Sequence, residues 1–248
     1  MNIQVAGSRG MLGQAVVKVA AEAGHTPVAS LFRIGNTLPY QITAPVVINC
    51  AGIVKQRECS EQDMVLSNAY GPHRLAWACD EARARLIHVS TDCVFTLPGP
   101  HNESDTPSPR DIYARSKLAG EVTRFRHLTV RTSFVGKGPR GLLHRLETEP
   151  EMRISRTDTW TGHTVDTVAR ALVMLAERDD IAGLLHIPAE FTLRADLARM
   201  LVKAFGLNCN IVEMDDVWED RRLSAARWGA LELPELPTLA EQIAEMAR

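Results

Sequence analysis

No two cysteines in this sequence stand at C-x-x-C spacing, and the five that occur (Cys50, Cys59, Cys79, Cys93 and Cys209) are odd in number. Structural zinc sites and disulfide frameworks use paired, closely spaced cysteines, so free thiols in a reducing, cytoplasmic setting are expected. The eight histidines include no H-E-x-x-H or similar pair, and no metal site is expected. A basic excess is also missing. The formal net charge is -2, which leaves nothing to neutralise a phosphate backbone and argues against a nucleic-acid partner. The arginines are scattered, and no apolar run is long enough to span a bilayer, so no membrane partner is expected either. The first residues already read as a strand, which leaves no room for a signal peptide. Internal repeats and low-complexity tracts are absent.

What is there suits an enzyme of ordinary composition. A chain of 248 residues with 45% apolar and 23% charged residues holds one large α/β domain, or such a domain with a smaller lobe. Short apolar strands are predicted at 2–6, 26–31, 45–50, 86–90 and 128–132. Helices are predicted at 11–23 and at 62–83, the latter broken or kinked near Pro72. Between the second and third strands the helix is short or missing, because Pro39 and Pro45 crowd the connection. Residues 96–109 read as a surface loop. Asp111 is placed to cap a helix carrying Tyr113, Lys117 and Glu121. Further on come a helix at 165–178, a strand at 183–187, a helix at 193–205, a polar stretch around Trp218 to Trp228, and a terminal helix capped at Thr238.

Alternating strands and helices predict the α/β class, with a Rossmann-like doubly wound parallel sheet and a smaller C-terminal substrate-binding lobe. The expected division is residues 1–150 for the NAD(P)-binding domain, with later segments returning to it, and 151–248 mainly for the lobe.

Gly7-Ser8-Arg9-Gly10-Met11-Leu12-Gly13 sets glycines three apart between a strand and a helix. The first permits a tight turn, the second lets backbone approach a pyrophosphate, and the third lets helix pack closely on strand. The helix N-terminus then offers free N–H groups to phosphate. The competing reading is a glycine turn without a ligand. After the second strand no carboxylate is available for a ribose 2′-hydroxyl. Arg33, with Arg9, could instead pair with a 2′-phosphate, which favours NADPH and keeps NADH as the second choice. The plainer reading leaves both arginines in solvent.

Tyr113 and Lys117 stand four apart on one predicted helix face. A free phenol titrates near pH 10, and a neighbouring ammonium is expected to lower that value and make Tyr113 a better proton donor during hydride transfer. Chance supplies a Tyr-x-x-x-Lys in roughly 6% of such chains, so position carries the weight. Thr91 ends the fourth strand, where ligands bind in open α/β sheets. Its hydroxyl could donate to the carbonyl being reduced, or merely cap a turn.

Taken with Val47-Ile48-Asn49-Cys50-Ala51-Gly52, Asn68, His88-Val89-Ser90-Thr91-Asp92-Cys93-Val94-Phe95, Tyr113-Ala-Arg-Ser-Lys117-Leu-Ala-Gly-Glu121 and Val130-Arg131-Thr132-Ser133, the chain resembles the extended short-chain dehydrogenase/reductases. Within them it resembles the dTDP-4-dehydrorhamnose reductase-like nucleotide-sugar reductases, over about its first 175 residues. The resemblance implies a catalytic triad of Thr91, Tyr113 and Lys117. It also implies that Ser90, Cys50, Ala51 and Gly52 lie along the cofactor beside the glycine loop, with Asp92, Val94 and Trp160 near the sugar. The substrate it implies is a nucleotide-linked deoxysugar bearing a keto group, on the way to a surface polysaccharide. Thr96-Leu97-Pro98 departs from the small residue usual after V-F in that family, which bears on the substrate rather than the chemistry.

Other readings stay open. An epimerase or dehydratase retaining NAD would use the same triad, and a non-catalytic regulatory subunit would keep only the nucleotide pocket. Trp160 could stack on a base or sugar or fill core. Lys55 and Gln56, after the third strand, and Lys137, Arg140 and Arg145 are candidates for the substrate's diphosphate, or are solvated. Cys93 reads as a small buried residue. A homodimer is an open expectation.

Overall fold

The computed structural model describes residues 1–30, 40–215 and 220–248. Arg33 and Trp218 therefore lie outside the described residues. The first half runs β1 (Asn2–Ala6), α1 (Met11–Glu22), β2 (Thr26–Ser30), β3 (Val46–Asn49), α2 (Glu61–Val65), a π-helical turn (Leu66–Tyr70), α3 (Gly71–Glu81), β4 (Arg85–Thr91), a 3₁₀ turn (Asp92–Val94), α4 (Ile112–Ala119) and β5 (Leu128–Thr132). Then follow β6 (Phe134–Val135), α5 (Leu142–Thr148), β7 (Glu151–Ser155), β8 (Thr159–Trp160), β9 (His163–Thr164), α6 (Val165–Ala176) and β10 (Gly183–His186). The chain ends with β11 (Thr192–Leu193), α7 (Arg194–Phe205), β12 (Asn210–Met214), α8 (Ala226–Ala230) and α9 (Leu239–Ala247).

Six strands form one parallel sheet in the order β10-β5-β4-β3-β1-β2. Strands buried on both faces read as unbroken apolar runs, and Ile3, Val5, Val47 and Ile48 are all fully buried. The chain moves outward from β1 to β2, then crosses to β3 on the other side of β1. That reversal opens a crevice at the carboxyl ends of β1 and β3, where Ala6 pairs with Asn49. Helices α1 and α6 cover one face, α3 the other. Leu172 and Leu175 of α6 are fully buried, each contributing about 1.5–3 kcal/mol relative to exposure. A second apolar cluster joins α5, β7, α7 and α9 around Trp160. Residues 165–187 and Trp228 pack instead into the core of the large sheet.

Several local departures have plain causes. The predicted kink near Pro72 is a π-helical turn ahead of it: Pro72 lacks an N–H, so the ladder takes one wider turn before α3 resumes. α4 stops at Ala119, so Glu121 is not on the helix as expected. A Cβ on Gly120 would meet the Asn68 carbonyl oxygen at 1.8 Å, so the backbone is pressed against the π turn there. The stretch 96–109 is not wholly a surface loop: Thr96 and His101 are buried, and the His101 ring stacks on Phe95 at 4.1 Å between centroids. α5, β7 and β12 were not foreseen. No helix among the described residues is long and apolar enough to cross a membrane.

Candidate active site

The crevice at the switch point is shaped by glycine. Gly7 has φ +75°, and a Cβ there would stand 2.7 Å from the Ala51 backbone. A Cβ on Gly13 would come within 2.1 Å of the Gly7 carbonyl oxygen, so α1 can lie on the turn only because position 13 is bare. The first turn of α1 holds no acidic residue, which leaves its N–H groups and positive dipole end suited to an anion. Beside it lies a cavity of about 770 Å³ walled by Gly7, Gly10, Cys50, Ala51 and Gly52. Arg57 and Ser67 also line it and were not singled out from sequence. A smaller cavity of about 470 Å³ is lined by Ser8, Arg9, Gln14 and Lys18, with Ala29 of β2 closing it. Met11 packs near Gly136 and Gly138. Leu12 is turned into the core, so it can offer a cofactor only its backbone.

The turn after β3 is held from beneath. The Asn49 side chain accepts from the Ala51 N–H at 3.0 Å and meets His88 Nδ1 at 3.0 Å. His88 is fully buried, and burial first, then the Lys117 charge, holds its pKa well below the usual range. Asn68 projects from the π turn, where its amide accepts from Ile53 N–H at 2.8 Å and donates to the Ile53 carbonyl at 2.9 Å and to Ser116 Oγ at 3.2 Å. One buried amide thus ties the cofactor turn to α4.

Two elements bring the triad together. Thr91 ends β4, donating its hydroxyl to Asp92 Oδ1 at 3.2 Å and accepting from the Cys93 N–H at 3.2 Å. The turn-capping role and a position at the strand's end therefore coexist. Asp111 caps α4, accepting from the Ala114 N–H at 2.7 Å, and Tyr113 and Lys117 follow on one face. Burial pushes the Tyr113 phenol up, Cys93 adds to this, and the Thr91 hydroxyl works against it. Lys117 is 6% exposed and donates from Nζ to the Val89 carbonyl at 2.6 Å. Burial lowers its pKa to about 8, with Glu121 opposing the fall. The phenol's pKa is raised rather than lowered as expected, because desolvation of the phenolate outweighs what opposes it. Lys55 pairs with Asp111 and stands 5.5 Å from the Tyr113 ring centroid. Cys50 is pushed up to about 12 by burial, so it faces the crevice as a neutral thiol.

Other expected residues are placed differently. The Ser90 hydroxyl donates to Glu121 Oε1 at 2.7 Å rather than to the crevice. Val94 is fully buried with Phe95 and Leu223, and so supports the turn without a face for the sugar. Trp160 is 7% exposed and donates from Nε1 to Ser133 Oγ at 2.9 Å. It packs as core, and a Cβ on Gly162 would strike its ring at 2.2 Å. Lys137 lies over Phe205 at 5.4 Å, and Arg145 pairs with Glu149 at 2.8 Å. Among the described residues no group of three or more His, Cys, Asp or Glu could hold a metal. Sequence reading passed over Arg221, whose Nη1 reaches Cys93 Sγ at 3.6 Å. It comes from a region with no motif, and only the fold brings it near.

Residues 1–216 match the family described as the RmlD substrate binding domain. The chain is 34% identical over 216 residues to a dTDP-4-dehydrorhamnose reductase of Mycobacterium tuberculosis, covering 75% of this chain and 69% of that one. A probable low-salt glycan biosynthesis reductase of Haloferax volcanii is 29% identical, over 90% of this chain and 86% of its own. Among solved structures, a dTDP-4-dehydrorhamnose reductase of Clostridium acetobutylicum superposes with a TM-score of 0.85 at 22% identity, over 99% of this chain and 98% of that one. One from Bacillus anthracis, in complex with NADP, gives a TM-score of 0.84 at 20% identity, over 99% and 98%. These structures share the fold, and the match over residues 1–216 goes further: the chain belongs to the RmlD substrate binding domain family, the dTDP-4-dehydrorhamnose reductase-like members of the extended short-chain dehydrogenase/reductases.

Proposed function

We propose that this protein reduces a keto group on a nucleotide-linked deoxysugar with NADPH, using Thr91, Tyr113 and Lys117. The carrying observation is that Thr91 ends β4 while Tyr113 and Lys117 lie one turn apart on α4, and Lys117 donates to the Val89 carbonyl of that same strand at 2.6 Å. The relatives named as dTDP-4-dehydrorhamnose reductases support the substrate class, and the neighbour in complex with NADP supports the cofactor.

The residues present fit a dinucleotide. The Gly7–Gly13 loop, whose glycines a Cβ would block, and the start of α1 would hold the diphosphate. Cys50, Ala51 and Gly52 would line its path along the larger cavity. Arg9 and Lys18, the charged residues of the smaller cavity among those described, suit a 2′-phosphate. What a reduced nicotinamide supplies when bound is a hydride for the keto carbon. Tyr113 supplies the proton for the oxygen. Its raised pKa keeps the phenol protonated at neutral pH. Tyr113 can donate to the keto oxygen, where negative charge develops, and the Thr91 hydroxyl can join it by turning from Asp92 Oδ1. Residues 151–248 mainly form the substrate lobe in this reading, with 165–187 returning to the sheet.

The test is NADPH oxidation by the full chain against a panel of dTDP-, UDP- and GDP-linked 4-keto sugars. Turnover on one of them is the expected result. Retention of tightly held NAD with no net NADPH consumption would replace this reading with an epimerase or dehydratase.

A further inference from the structure

The tail returns to the active site as a short strap over residues 220–224. Leu223 and His101 form an isolated parallel bridge: the His101 N–H donates to the Arg222 carbonyl at 2.8 Å, and the Ser224 N–H to the His101 carbonyl at 2.7 Å. On its other side the Leu223 N–H donates to Thr161 Oγ1 at 3.0 Å. The strap is thus stitched both to the loop after β4 and to the segment carrying Trp160.

Asp220 is the anchor. Its side chain is fully buried, and it accepts from the Gly99 N–H at 2.8 Å, from Thr159 Oγ1 at 3.1 Å and from Arg222 Nη2 at 2.6 Å. A carboxylate with this many donors is a rigid joint, and its pKa falls to about 2 although burial alone would raise it. With Asp220 fixed and residue 222 locked to His101, the residue between them has little freedom. That residue is Arg221.

Arg221 reaches Cys93, two residues beyond Thr91. Cys93 sits in the turn that follows Thr91, and its charge acts on the titration of the Tyr113 phenol. The guanidinium therefore stands beside the turn at the carboxyl end of β4, next to Thr91. Burial works against its charge, but Cys93 and the carboxylates of Asp92, Asp158 and Asp111 hold it protonated. A charged planar donor beside a sugar site hydrogen-bonds hydroxyl and ring oxygens strongly and directionally.

Resting on the reductase reading, we propose that Arg221, delivered by the Asp220 strap, is a specificity-determining residue that donates hydrogen bonds to the sugar of the nucleotide-linked substrate. Its partner is an oxygen-rich sugar ring, and the nucleotide and its phosphates are bound elsewhere.

The test compares wild type with Arg221→Gln, Arg221→Lys and Asp220→Asn as full-length chains. Steady-state rates are taken on the 4-keto sugar nucleotide that wild type turns over, and affinities for NADPH and for dTDP alone by calorimetry. Arg221→Gln should lower kcat/KM by about tenfold or more, as expected for loss of a charged hydrogen bond. Affinities for NADPH and dTDP should stay within about twofold. Arg221→Lys should recover part of the loss. Asp220→Asn should move kcat/KM in the same direction while NADPH affinity holds. Unchanged kcat/KM in Arg221→Gln overturns the proposal. So does an equal loss of dTDP affinity, which would put the guanidinium on the phosphates. Failure of wild type on every sugar nucleotide would sink the reductase reading itself, whereas active wild type with an unaffected Arg221→Gln sinks this inference alone.

Discussion

Glu121 and Arg131 form a buried, two-pronged ion pair: Nε to Oε1 and Nη2 to Oε2, both at 2.8 Å, with side chains 8% and 3% exposed. The same carboxylate accepts from Ser90, and the guanidinium lies 5.0 Å from the Phe95 ring centroid. Glu121 stands four residues after Lys117, and Ser90 stands one before Thr91. The pair therefore clamps the end of α4 to the two strands beside the triad.

Removing one partner of such a pair leaves a charge buried alone. Glu121→Gln should destabilise the protein by about 3–5 kcal/mol, read as a lower denaturation midpoint in guanidinium. The double variant Glu121→Leu with Arg131→Met removes both charges and should recover much of that loss. A double variant as unstable as the single one would show that the pair holds the fold by shape rather than by charge.

Tyr113→Phe deletes one hydroxyl from a half-buried ring. The ring's packing and the glycine loop are untouched, so NADPH affinity should remain. Turnover should fall by roughly 10²–10⁴-fold, the usual contribution of a positioned general acid. Turnover near the wild-type rate would remove Tyr113 from its assigned role.

Much of this site is legible in the residues, because its parts are local. The glycine loop shows its strand, its turn and its helix within a dozen positions, and Tyr113 and Lys117 declare one helix face by their spacing. What could not be read depends on contacts between distant segments. Ser90 looks free until Glu121 and Arg131 are seen beside it. Trp160 carries a polar tip that suits a ligand, yet Ser133 satisfies it inside the second cluster. Arg221 has no motif around it, and a loop, a strand pair and a buried carboxylate must all form before it meets Cys93. The π turn escaped for another reason: Pro72 announces a break, but whether the helix ends or widens depends on Asn68 having partners at Ile53 and Ser116.

Lys117 should make stability depend on pH in an unusual direction. Its pKa is 10.5 in the open chain and about 8 in the fold. Below pH 8 both states carry the proton, and the native state bears the whole penalty of a buried ammonium. Between 8 and 10.5 the fold releases a proton that the unfolded chain keeps, so stability rises with pH. Lys117→Met lacks this term. The variant should be more stable than wild type at pH 7, by up to about 3 kcal/mol, and the gap should close towards pH 10.5. Denaturant unfolding of both chains across that range measures it, since other titrating groups cancel in the difference. A gap that stays constant with pH would mean that Lys117 keeps an ordinary pKa in the fold.

Arg9 and Lys18 should decide between the two nicotinamide cofactors. Among the described residues they are the charged ones of the cavity beside the end of β2, and that strand closes on Ser30 without a carboxylate for a ribose hydroxyl. Lys18 is loosely held, 65% exposed and 3.9 Å from Glu22, so it can turn to a phosphate with little loss elsewhere. The double variant Arg9→Ala with Lys18→Ala should raise KM for NADPH by roughly tenfold while KM for NADH changes little, because only NADPH brings the 2′-phosphate these cations would pair with. Fold and melting temperature should be unaffected, both side chains being surface groups. Equal losses with the two cofactors would place the cations on the shared diphosphate, and no loss with either would return them to solvent.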